Sequence, residues 1–351
     1  MTRLFLRLLL ALQVPRLTRF LYRTKVVVLA YHGFTDQRTH PGIENSQGKH
    51  LHIDTFRAQL AYLKKHYNVV PLQQIVDHYV NGTALPPRPL AITIDDGYES
   101  NYTLAYRALA EHGLPATIFL TTDFVDQKEL QWTDRIEYAL STTCASTLDV
   151  AIGDRTLSYG LSDRSSKLAC DRDLRTKLKT IPQESRSAIV DAIEARLGQR
   201  LQIGEDIAPI YRPLVWPQVR EMLASGLVSI GSHTVSHLIV TRCHPDRARA
   251  ELVVSKHRIE QQTTISCQLF CYPNGQPGCF DGSTKMMLGD AGYACGVTTV
   301  FGMNNGSSDV FELKRLYTDR PDMTRFVLTV SGVIGLLDEA RRMVTAEGSG
   351  R

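Results

Sequence analysis

Two stretches of this 351-residue chain carry residues whose types and spacing could do chemistry. In the first, the apolar run at 90–94 stops on two adjacent acids, Asp95 and Asp96, and then on Gly97. Carboxylates that close repel each other, and each loses hydration in an enclosed site, so something must compensate them. In the second, GSHTVSH at 231–237 places His233 and His237 four apart. If that stretch is one helical turn, both imidazoles lie on one face. Two histidines and one carboxylate make a site for a first-row metal with positions left open for water and substrate. Either acid could complete that set. The cation would compensate both, and the other acid would stay free as a general base beside a bound water.

These residues need elements to hold them. Strand-like runs stand at 26–31 (VVVLAY, followed by His32 and Gly33), 68–72, 90–94, 116–122, 227–233, 268–275 and 294–300. They alternate with helical patterns from Asp54, at 72–80, 101–112, 216–226 and 245–263. Alternation of this kind predicts parallel strands joined by crossover helices. In open α/β sheets and α/β barrels the chemistry gathers at the carboxyl ends of the strands. His32, the Asp95–Asp96 pair, the His233–His237 pair and Asn274 all fall at such ends. Residues 126–206 break the rhythm with a hairpin-like pair (147–152, 155–160) and a charged helical stretch at 172–200, and read as an insertion.

Composition excludes several classes. The balance of 40 Lys+Arg against 36 Asp+Glu, net +4, has no basic patch interleaved with aromatics, so no nucleic-acid partner is expected. No GxGxxG follows a strand, which argues against a Rossmann-type enzyme. Seven cysteines with no CxxC pair read as reduced thiols rather than a disulfide framework. At the N-terminus the longest uncharged run, 8–15, is far shorter than the ~20 residues that span a bilayer, and no small-residue cleavage site follows it. Leu, Phe and Tyr recur there between Arg3, Arg7, Arg16, Arg19 and Arg23. That pattern suits a basic amphipathic helix, with residues 1–24 in peripheral contact with an anionic membrane surface; the alternative is a helix packed on the protein's own core. The expected location is cytoplasmic, peripheral to the inner membrane face.

Taken together, these motifs resemble the polysaccharide deacetylase family, the NodB homology domain of carbohydrate esterase family 4, in the branch of poly-N-acetylglucosamine deacetylases and exopolysaccharide-cluster members. Thr93-Ile94-Asp95-Asp96-Gly97 is similar to the family's TFDDG, and His233-Thr234-Val235-Ser236-His237 to its H-[S/T]-x-x-H. The resemblance implies a distorted (β/α)7 barrel carrying a mixed helical and hairpin insertion. It also implies metal-dependent removal of acetyl groups from N-acetylated sugars in a polysaccharide or its precursor. By the same resemblance Asp95 is the general base and Asp96, His233 and His237 are the metal ligands. Zinc is the default metal, with cobalt, iron or nickel suited to the same donors. The backbone N–H of Asn274 would help hold the oxyanion, and His32 of Tyr31-His32-Gly33 would be the general acid.

Two departures from the family pattern stand out. Cys271 occupies the place of the third motif's arginine, and 311–320 lacks the late Leu-x-His histidine. The expected organisation is an N-terminal segment 1–25, barrel parts 26–125 and 207–335, the insertion 126–206 and a tail 336–351. Two other readings compete: a metal hydrolase of another amide on the same fold, and a non-catalytic carbohydrate-binding relative.

Overall fold

A computed structural model describes residues 3–204, 206–317 and 321–348, with side chains to residue 341. Its strands are β1 (Val27–Tyr31), β2 (Gly33–Thr35), β3 (His50–His52), β4 (Asn68–Val69), β5 (Pro89–Ile94), β6 (Ala116–Leu120), β7 (Thr147–Ile152), β8 (Arg155–Gly160), β9 (Val228–Ser232), β10 (Leu269–Cys271), β11 (Cys295–Phe301) and β12 (Leu313–Tyr317). Seven of them form a closed parallel barrel in the order β1-β12-β11-β10-β9-β6-β5, shut by pairing of β5 back onto β1 from Val27↔Leu90 to Tyr31↔Ile94. This is the distorted (β/α)7 barrel. The distortion has two visible sources: the three-residue β10 meets β9 at Phe270↔Ser232 alone, and the β11–β12 register shifts between Val297 and Phe301.

Side chains alternate across each strand with period two. One set, including Leu29, Ile92, Ile118 and Ile230, packs outward against Phe56, Leu60, Leu109 and Met222 of the surrounding helices. The other set points inward: Val28, Ala91, Phe119, Cys271, Val297 and Leu313 fill the barrel, with Leu72, Ile75 and Val76 of helix Leu72–Asn81 against them. Phe119 fits because β9 carries Gly231 opposite, where a Cβ would come within 2.5 Å of its ring. Continuing the inward sets by two residues at a time brings Thr93, Asp95 and Arg315 to the carboxyl end of the barrel.

Three sequence expectations need correction. The apolar run 68–72 yields only the two-residue β4, which pairs with β5 outside the closed barrel; Pro71, with no N–H to donate, ends it. The N-terminal segment is two helices, Arg3–Ala11 and Val14–Leu21, because Gln13 takes a left-handed φ of 56° just before Pro15. The boundary at 335/336 falls inside helix Val333–Gly348, so what reads as a tail begins as a helix, and 349–351 lie outside the described residues. Within 126–206, the β7–β8 hairpin and helices Trp132–Thr142, Arg164–Leu178 and Gln183–Leu197 share a hydrophobic cluster of their own around Ile136, Leu140, Leu174 and Ile193.

Candidate active site

His32, Asp95, Asp96, His233 and His237 come together at the carboxyl ends of β1, β5 and β9, and Asn274 follows β10. Asp95 and Asp96 follow β5 directly, and both are buried. The Asp95 amide donates to the Tyr31 carbonyl at 2.9 Å, and Thr121 N–H donates to the Asp96 carbonyl at 3.2 Å, which ties the acidic turn to both neighbouring strands. Asp96 has φ 78°, Thr234 68°, His237 55° and Asn274 59°. Left-handed backbone is uncommon for residues other than glycine and a genuine outlier for a β-branched threonine, and its gathering at one place marks a site whose surroundings over-determine it.

That backbone explains how the histidines converge. Residues 233–237 are an irregular turn rather than the helical turn the spacing suggested. The turn is pinned from both sides: Thr122 and Asp123 donate to the carbonyls of Thr234 and Val235, and Glu251 accepts from the amides of Val235 and Ser236 and from the Ser236 hydroxyl. The two rings end 4.8 Å apart, nearly perpendicular. His233 Nδ1 lies 2.7 Å from the Cys271 carbonyl, so its Nε2 faces Asp96. Burial lowers both histidines' pKa values, favouring the neutral imidazole that a metal requires.

Asp96 Oδ1 is buried and has no hydrogen-bond partner among the described residues. It lies 3.6 Å from His233 Nε2 and 3.5 Å from His237 Nε2. Those separations match the edge of a tetrahedral shell, about 3.4 Å for metal–ligand bonds near 2.1 Å. An orphaned buried carboxylate oxygen facing two neutral imidazoles is what a divalent cation would complete. Without one, burial pushes the Asp96 carboxyl up to about 7, against the pull of Lys49. A second cluster, Asp95, His233 and Cys271, is equally compact but already satisfied. Arg315 engages both Asp95 oxygens, and burial holds the Cys271 thiol protonated, well above the ordinary range.

Arg315, on β12, is the functional residue that sequence reasoning missed. It is 0% exposed and forks onto Asp95, with Nη1–Oδ1 2.8 Å and Nη2–Oδ2 2.7 Å. Further donation to Thr93 Oγ1, the Thr298 carbonyl and Cys271 Sγ fixes the guanidinium in the plane this fork needs. Burial would raise the Asp95 carboxyl, but the arginine outweighs it and holds the group well below the usual carboxylate range. A guanidinium reaches the same carboxylate from β12, with its Nη2 3.2 Å from the cysteine sulfur that stands in the motif's place. Arg315 shares the inward face of β12 with Leu313, two residues before it, but LKRLY gives no strand pattern from which that face could be read.

His32 is held at the end of β1 by Asn101, which donates to its carbonyl at 2.7 Å from a π-helical turn, Asn101–Tyr106. Gly33 follows because the buried His50 ring leaves no room for a Cβ, which would fall 1.9 Å from Nδ1. The His32 side chain is 28% exposed, and its Nε2 is 4.0 Å from Asp95 Oδ2. Burial lowers its pKa to about 4, opposed by Asp95 and reinforced by Arg315, so the ring rests neutral at pH 7. Asn274 lies beyond β10, its carbonyl accepting from the Thr299 hydroxyl, while no acceptor among the described residues engages its amide. Beside Asp96, Lys49 bonds Tyr98 and Asp134, and Tyr98 donates to Asp134 at 2.6 Å, so helix Trp132–Thr142 of the insertion buttresses the site.

Comparison with known proteins agrees with this geometry. The family model for polysaccharide deacetylase matches residues 82–296, more than half of the chain. The chain belongs to the polysaccharide deacetylase family, hydrolases of carbon–nitrogen bonds. Among solved structures, the Streptococcus pyogenes deacetylase PplD in complex with acetate is 18% identical, with TM-score 0.56, over 87% of this chain and 96% of that one. IcaB from Ammonifex degensii is 17% identical, with TM-score 0.56, over 88% and 97%. A de-N-acetylase from Aggregatibacter actinomycetemcomitans is 18% identical, with TM-score 0.51, over 83% and 94%. At these identities the likeness is one of fold. No curated protein matches the chain.

Proposed function

We propose that this protein is a divalent-metal-dependent N-deacetylase of N-acetylated sugars in a polysaccharide or its precursor. Family membership gives the reaction class, and the observation that carries the metal dependence is the orphaned Asp96 Oδ1 facing His233 and His237. Asp96, His233 and His237 are the ligands in this reading, with zinc the default for such donors. A divalent cation there supplies Lewis acidity to the acetamide carbonyl and to the attacking water.

The chain's own residues do the rest. Asp95 takes the proton from the attacking water, with Arg315 holding both carboxylate oxygens so that the free lone pairs keep one direction. The Asn274 amide donates to the developing oxyanion. The leaving amine needs a proton, and His32 delivers it from Nε2. Because that imidazole rests neutral, it must first be charged; Asp95 Oδ2 lies 4.0 Å away, beyond a direct hydrogen bond, so the proton taken from water would reach Nε2 through one bridging water. The test is metal content. His233→Ala should purify with less than one equivalent of metal and without acetate release from N-acetylglucosamine oligomers; retention of a full equivalent would refute the ligand assignment.

A further inference from the structure

The two helices that precede the barrel have a face that the chemistry does not use. Their inner side is committed: Leu6, Leu9, Leu10 and Val14 pack onto Leu328, Val333, Ile334 and Leu337. Their outer side is apolar too. Leu4, Leu8 and Leu12 repeat at i, i+4, i+8, and Leu17, Phe20 and Leu21 at i, i+3, i+4, so each set forms one stripe. All six are exposed, Leu4 by 80%, Leu12 by 65% and Phe20 by 63%. A cluster of large exposed apolar side chains of this kind marks an interaction surface.

Charge says what covers it. Residues 1–25 carry Arg3, Arg7, Arg16, Arg19, Arg23 and Lys25, and the first acid of the chain is Asp36. Arg19 is engaged by Tyr62, and Arg23 lies over the Phe20 ring and donates to its carbonyl. Arg3, Arg7 and Arg16 stand exposed beside the leucines. A second copy paired face to face would bring the cations of these helices against the same set, with no acid on either helix pair to separate them. An anionic lipid headgroup layer satisfies the cations and takes up the leucines together. No helix of the described residues is long and apolar enough to cross a membrane.

We infer that helices Arg3–Ala11 and Val14–Leu21 dock the enzyme on an anionic bilayer surface, lying in the interface with the leucines and Phe20 toward the acyl chains. On the side of the first helix that carries the buried Leu6, the surface runs toward the barrel. A cavity of about 270 Å³ lined by Arg3, Leu6 and Arg7 shares Pro321 and Asp322 with a cavity of about 600 Å³ that reaches Tyr317. Tyr317 lies two residues past Arg315 at the carboxyl end of β12.

The experiment is co-sedimentation of the full chain with vesicles of phosphatidylcholine alone or of equal parts phosphatidylcholine and phosphatidylglycerol. Wild type should partition onto the anionic vesicles at least about tenfold better than onto neutral ones, and less so as salt rises. Two variants separate the components: Leu4→Ser/Leu8→Ser/Leu17→Ser/Phe20→Ser and Arg3→Gln/Arg7→Gln/Arg16→Gln. Each should lose at least about tenfold in anionic-vesicle binding while keeping its melting temperature and its acetate release from short soluble oligomers. Wild type that ignores anionic vesicles, variants that bind them as well as wild type, or a wild-type dimer that both variants convert to monomer would each overturn the proposal.

Discussion

Replacing Arg315 by methionine tests the internal logic of the site. The change removes a fully buried cation that forks onto Asp95 and leaves that carboxylate, itself 2% exposed, without its charge partner. Breaking a buried ion pair from one side costs about 3–5 kcal/mol. The sign of the pH dependence separates this from a simple packing loss. In wild type the Asp95 carboxyl is depressed, so its contribution to stability is present above the unfolded value of about 4 and is lost as pH falls through the lower folded value. In the variant the arginine's pull is gone, and burial, the largest influence on the group, raises the carboxyl. Its contribution is then full below about 4 and lost as pH rises through the raised value. The melting-temperature gap between the two proteins should therefore be widest at neutral pH and narrow toward pH 4.

Activity should follow the same change. A base that is protonated or misdirected at neutral pH loses on the order of 10²–10⁴ in rate, measured as acetate release from N-acetylglucosamine oligomers. Returning the guanidinium to the other strand, as Cys271→Arg with Arg315→Cys, should recover much of that loss, because the two side chains already touch at 3.2 Å. Arg315→Met with wild-type rate, or a stability gap that ignores pH, would show that Asp95 does not depend on this arginine.

Asp95→Asn should keep its metal, because the ligands assigned to the cation do not include it, yet lose hydrolysis, since an amide takes no proton from water at neutral pH; metal analysis with an acetate assay checks both. Metal lost in Asp95→Asn and kept in Asp96→Asn would exchange the two roles. His32→Ala should keep metal and substrate binding and fall by about 10²–10⁴ on amides, but far less on an activated ester whose leaving group needs little protonation; equal losses on both substrates would remove His32 from the acid role.

The strands that could be read directly were those made of unbroken β-branched and aliphatic runs, such as 26–31 and 90–94, and their alternation with helices gave the parallel order. The last strand, β12, escaped notice because LKRLY is short and carries two cations, one of which, Arg315, is buried by a partner more than two hundred residues away. That pairing depends on three-dimensional register, which periodicity within one segment does not encode. The acids and histidines were legible as types and spacings. How the histidines converge was not, since left-handed backbone at Thr234 and His237 is imposed by Glu251 and by the segment after β6. At the N-terminus the core-packing reading describes one face of the helices, and the other face is exposed. Leu6 and Leu10 pack inward and Leu4 and Leu8 face out, so deleting residues 1–24 would uncover the cluster around Leu328 as well as remove the exposed stripe.

The central claim is that a cation held by Asp96, His233 and His237 is needed for hydrolysis of the sugar acetamide. Acetate release from N-acetylglucosamine oligomers, followed before chelation, after chelator and its removal, and after adding back one equivalent of zinc, cobalt, nickel or iron(II), tests it most directly. Activity should vanish with the metal and return with at least one of these ions in wild type but with none in His233→Ala. Undiminished acetate release from metal-free protein would contradict the account.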